Sequence, residues 1–174
     1  TKMWGEVLTA HHAQEQGRTS FSTIRLGNVL GSAGSVLARF DAQIEQGGPV
    51  TVRDPDLERY FITLPQASER ILQGAQQAGN GETYVVQMGE PLKILDLARW
   101  SIQLAGHQPG FPDGPEGDID VVYTAMLAGE KLQETPLLPS EMHLYGAGAA
   151  LIAAHTPQLT PATLTAHVAA LEAA

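Results

Sequence analysis

Apolar residues recur along this chain with two different periods, and the switches between them mark out alternating elements. Met3, Val7, Leu8 and Ala10 fall at helical spacing and Gly17 stops them, which predicts a helix over 3–16. No capping residues precede it, so we expect the sequence to begin inside an element. Residues 21–26 alternate and are rich in β-formers, which predicts a strand. A glycine-rich loop over 27–35 follows. Val36, Leu37, Phe40 and Ile44 then share one face of a helix over 36–46, which Gly47-Gly48-Pro49 ends.

Shorter elements come next. Val50–Val52 reads as a strand, 53–59 as a polar loop and 60–64 as a second short strand. Pro65 opens a helix over 65–78, and Asn80-Gly81 turns the chain into a strand over 83–87. A helix over 94–105, a Pro/Gly loop over 107–117 and a strand over Ile119–Tyr123 complete the pattern. The segment 128–134 is a charged turn. From Pro139 the chain is alanine-rich and low in complexity. Thr160 as N-cap and Pro161 at the first helical position predict a final helix. Strands alternating with helices make the class α/β.

Composition removes several functions. The chain has 174 residues, a formal net charge of −9 and no cysteine. A general nucleic-acid binder needs a basic surface, so no nucleic-acid partner is expected. Disulfides and thiolate metal sites are excluded. His11, His12, His107, His143, His155 and His167 are scattered, and adjacent histidines cannot share a helix face, so no metal site is expected. No run reaches the ~18 apolar residues of a membrane span. The lack of cysteine fits a cytoplasmic protein, which is the expected location.

The glycine loop invites a test. A P-loop needs a lysine after its last glycine, and this loop has none. A dinucleotide fingerprint needs G-x-G-x-x-G, and Gly27, Gly31 and Gly34 lack that spacing. The pattern alone leaves a plain strand-to-helix turn or a ligand loop. Asn28 follows a strand end, where ligands sit in open α/β sheets. Arg59, entering an apolar strand in "ERYFIT", either reaches out to water or forks onto a phosphate. Glu130, Lys131 and Glu134 in "AGEKLQE" form a solvated turn or part of a site. Arg39 and Arg53 read as surface residues.

In order, the stretches "TK", "IRLGNVLGSAGSV", "GGPVTVRDPDLERYFIT", "YVVQMGEPLKILDLA" and "VVYTAMLAGEKLQE" resemble the C-terminal half of CapD-type nucleoside-diphosphate-sugar dehydratases and epimerases. These belong to the extended short-chain dehydrogenase/reductases and serve polysaccharide biosynthesis. The resemblance covers residues 1 to about 138. It implies the C-terminal part of a doubly wound Rossmann-type parallel sheet plus a small substrate-binding lobe over 1–138. Residues 139–174 would be an alanine-rich tail, helical in part.

It also implies roles. Lys2 matches the lysine of a Tyr-x-x-x-Lys or Met-x-x-x-Lys pair, which lowers the pKa of the base and binds the nicotinamide ribose. The tyrosine and the glycine-rich loop for NAD or NADP would lie before Thr1. Asn28 and Arg59 would reach the diphosphate, and Val50 would sit on a strand beside the nucleotide base. Glu130 and Lys131 would complete the substrate site. The sequence departs from the resemblance at Leu127 and Ala33, where arginine is usual.

The implied reaction removes a hydride from C4 of a UDP-N-acetylhexosamine-like sugar. It then eliminates water across C5 and C6, or epimerises C5, and returns the hydride. This chain alone would be inactive, for want of the cofactor loop and the tyrosine. A bare edge beside the strand 21–26 points to a homo-oligomer. The other reading is a non-catalytic nucleotide-sugar-binding or self-associating domain.

Overall fold

The computed structural model describes residues 2–14, 17–137, 151–154 and 160–172. The elements in chain order are α1 (Lys2–His12), β1 (Thr23–Arg25), β2 (Asn28–Val29), α2 (Val36–Glu45), β3 (Val50–Val52), β4 (Glu58–Arg59) and β5 (Phe61–Ile62). They continue as α3 (Leu64–Gln77), β6 (Thr83–Val86), β7 (Leu92–Lys93), α4 (Ile94–Leu104), β8 (Pro109–Gly110), β9 (Ile119–Tyr123), β10 (Leu151–Ala154) and α5 (Pro161–Glu172). The fold is mixed α/β with parallel pairing, part of a Rossmann-type architecture.

The chain forms two compact units. The first takes Thr1–Arg25, Glu69–Gln87 and Pro136–Ala174, and the second Leu26–Ser68 and Met88–Thr135. In the first, β6 is central, parallel to β1 and antiparallel to β10. All of β6 is buried, Thr83, Tyr84, Val85 and Val86 alike, as expected of a strand covered on both faces. Val7 and Ala10 of α1 are buried too, and Arg25 forks onto Glu6 with contacts of 2.8 and 2.7 Å. Trp4 and His167 stack α1 on α5 with ring centroids 5.0 Å apart. Thr160 caps α5, its hydroxyl accepting from Thr163 N at 3.2 Å.

In the second unit, β3, β9 and β8 form a parallel sheet with β9 in the middle. Phe40 and Ile44 of α2 and Ile94, Leu97, Ala98 and Ile102 of α4 close on Val50, Val52, Ile119 and Val121 to make the core. The i, i+4 spacing of Phe40 and Ile44 puts both on the one buried face of α2. β2 pairs with β5 in parallel, and β4 with β7 in antiparallel fashion.

Several expectations need correction. The loop 27–35 contains strand β2, and the polar loop 53–59 ends in strand β4, so Arg59 stands on a strand. β8 arises within the expected Pro/Gly loop, and β7 in a stretch to which no element was assigned. The alanine-rich tail contributes a strand, β10, beside its final helix. The rest of residues 138–150 and 155–159, with His143 and His155, lies outside the described residues.

Candidate functional site

The site belongs to the second unit and begins with the glycine loop. Gly27 has an ordinary φ, but a Cβ there would stand 2.8 Å from Tyr60 O, so glycine lets this backbone lie against the next strand. That approach allows Asn28 N to donate to Tyr60 O at 2.9 Å and start the β2–β5 pairing. Gly31 and Gly34 have φ of +73° and +72°, which turn the loop towards α2. Ser35 then caps the helix, its hydroxyl accepting from Ala38 N at 3.4 Å. The first turn of a helix presents unpaired N–H groups and a partial positive charge.

A cavity of about 320 Å³ opens against this turn. The loop and the start of α2 form one wall, with Asn28, Ser32 and Ser35. Arg39, Arg53, Arg59 and Glu130 supply the charge. An adjoining concavity of about 530 Å³ shares Arg53, Arg59 and Glu130 and adds Leu127, Lys131 and Glu134. Together they carry four cations against two carboxylates, a local positive excess in a chain of net charge −9. Arg53 lies just beyond the carboxyl end of β3, and Glu130 beyond that of β9, where ligands gather in parallel sheets.

Arg59 is 12% exposed and held on every side. Its Nη1 donates to Glu58 O at 2.7 Å and to Leu132 O at 3.1 Å. Nη2 donates to Glu130 Oε1 at 3.4 Å, and Nε lies 3.2 Å from Glu134 Oε1. Arg53 pairs with Glu130 Oε2 through Nη1, and Leu127 N donates to the same oxygen at 3.2 Å. Glu130 is thus shared by both arginines. Burial by itself pushes its carboxyl up, but the Arg53 hydrogen bond, the Leu127 N–H and the two guanidinium charges outweigh burial and hold it below the usual carboxylate range.

The structure brings together Asn28, Arg59, Glu130 and Lys131 of the residues expected from sequence. It does not bring in Val50, whose side chain is 0% exposed within the core. Lys2 opens α1 in the other unit and is exposed. Asn28 Nδ2 turns back to Tyr60 O at 3.2 Å. Arg39 is exposed, as expected, and also lines the cavity, whereas Arg53, expected on the surface, is half-buried at its wall. The strand-end argument applied to Asn28 applies equally to Arg53, and that signal would have found it.

In the second unit, arginines and a helix start face one cavity, an arrangement whose charge suits an anion. The family model described as "Polysaccharide biosynthesis protein" matches residues 1–152, and the chain belongs to that family. It is 43% identical over 143 residues to the capsular polysaccharide biosynthesis protein CapD of Staphylococcus aureus, covering 82% of this chain and 23% of CapD. It is 27% identical over 147 residues to the UDP-N-acetylglucosamine 4,6-dehydratase (inverting) of Campylobacter jejuni subsp. jejuni serotype O:23/36, covering 83% of this chain and 40% of that protein. Among solved structures, Pen from Bacillus thuringiensis matches with a TM-score of 0.69 and 25% identity over 90% of this chain and 46% of its own. The chain therefore spans about a quarter of CapD and under half of the other two.

Proposed function

We propose that the second unit is the sugar-nucleotide seat of an NAD(P)-dependent nucleoside-diphosphate-sugar 4,6-dehydratase or epimerase of surface polysaccharide biosynthesis. One observation carries the reading: Arg53, Arg59 and the start of α2 meet at a single cavity in an acidic chain. A diphosphate brings about two negative charges and needs forked donors, which guanidinium groups supply. In this reading Arg59 binds the diphosphate, Asn28 donates to it from a strand end, and Lys131 adds charge at the rim. Glu130 aims both arginines and gives up part of its hold when phosphate arrives. Val50 supports the strand and touches no ligand through its side chain.

NAD or NADP would supply hydride transfer to and from the sugar. The loop 27–35 does not fit that role, because its glycines serve a close approach and two turns and lack the fingerprint spacing. Lys2 is the described residue we assign to the nicotinamide ribose. We expect this chain to bind sugar nucleotide without turning it over.

Calorimetric titration with UDP-N-acetylglucosamine, UDP and uridine tests the reading. UDP and the UDP-sugar should bind, and uridine should bind at least about tenfold more weakly because it brings no phosphate. Equal affinity for uridine and UDP would remove the diphosphate from the argument.

A further inference from the structure

We infer that Arg53 is the second diphosphate cation of this site, in place of the arginine that the resemblance puts at position 127. The inference rests on the sugar-nucleotide reading. Position 127 holds a leucine, 59% exposed at the edge of the adjoining concavity, so no charge comes from there. Arg53 reaches the same spot from the end of β3. Its Nη1 and the Leu127 backbone N–H both bond to one oxygen, Glu130 Oε2. The guanidinium therefore sits within one carboxylate oxygen of the Leu127 backbone, and it lines both concavities. Arg59 binds the other oxygen of the same carboxylate.

That arrangement already has the form of a two-arginine clamp around an anion, with Glu130 as the anion. A phosphate has the same charge sign and the same paired-oxygen geometry as a carboxylate, so it can take that place between the guanidinium groups. Arg53 differs from Arg59 in freedom. Arg59 is tied to two backbone carbonyls and two glutamates at 12% exposure, whereas the ion pair in which Arg53 takes part leaves it 25% exposed. Arg53 is the arm that moves onto the ligand, and Arg59 is the fixed arm.

The test is titration of the protein with UDP-N-acetylglucosamine, with thermal melts run alongside. Arg53→Ala should weaken binding at least about tenfold, and Arg53→Gln, which keeps most of the volume, should do the same. Adding Leu127→Arg to Arg53→Ala should recover most of the loss, because it returns a cation to the same spot. If the unaltered protein does not bind the UDP-sugar, the sugar-nucleotide reading falls. If it binds, and Arg59→Ala weakens it while both Arg53 variants bind normally, this inference falls and the reading stands. A loss in Arg53→Ala that Leu127→Arg leaves unrepaired would also overturn it, since Arg53 would then act only by holding Glu130.

Discussion

Arg59 Nη2 stands 3.4 Å from Glu130 Oε1, across 71 residues of chain. This pair ties strand β4 to the loop after β9 and places a cation and its counter-ion at the edge of one cavity. With Arg53 on the other oxygen, it sets both the charge and the geometry of the site.

Removing Arg59 should be felt twice. Arg59→Ala leaves Glu134 without this ion pair and Leu132 O without this donor, so stability should fall by about 1–3 kcal/mol in urea denaturation. UDP-sugar affinity should fall roughly tenfold to a hundredfold. Arg59→Lys should recover only part of the affinity, because a point charge cannot fork onto two oxygens. Normal binding by Arg59→Ala would make Arg59 a purely structural arginine.

Glu130 gives the site a pH signature. Its folded pKa lies below the ordinary 4.5, so its ionised pairs stabilise the fold above that value. The contribution is lost as pH falls through the lowered folded pKa. Unaltered protein should therefore lose stability on acidification more steeply than Glu130→Gln, which has no proton to take up. Parallel slopes in melts between pH 7 and pH 3 would show that the pairing adds nothing.

Val50 should act through the core alone. Val50→Ala opens space among Phe40, Ile102 and Val121 and should cost on the order of 2 kcal/mol. Affinity for a UDP-sugar, measured well below the melting temperature, should not change. A selective loss of affinity at full stability would return Val50 to the ligand.

Gly27→Ala should disturb the site from behind. The added Cβ meets Tyr60 O at 2.8 Å, so β2 and β5 must part or shift. A destabilisation of about 1–3 kcal/mol is expected, together with weaker binding as Asn28 moves. Hydrogen exchange at Asn28 N and Leu30 N, which bond to Tyr60 O and Ile62 O, would report the parting directly. Unchanged protection at both amides would contradict it.

The sequence made the long elements legible because their periods repeat. α2 and α4 each bury one helical face, and β6 is a β-forming run buried throughout. The strands β2, β4, β7 and β8 have two residues each, too short to show any period, and exist because a neighbour pairs with them. β10 lies in an alanine-rich stretch with good helix propensity, and its pairing to β6 overrides that preference. In the site, Asn28, Arg59, Glu130 and Lys131 could be found by motif. Arg53 carried only the strand-end signal of its place just after β3, and it read as a solvated arginine because its partner Glu130 arrives from 77 residues further along. The burial of the Val50 side chain was not legible, because a short strand says nothing of which way each side chain points.

The central claim is that a nucleoside diphosphate sits between Arg53 and Arg59. A crystal structure of the protein with UDP-N-acetylglucosamine measures this directly. The account predicts diphosphate oxygens within about 3 Å of both guanidinium groups, in hydrogen-bond range, with Glu130 drawn back from at least one of them. A diphosphate bound elsewhere, with the Arg53–Glu130–Arg59 group undisturbed, would contradict it.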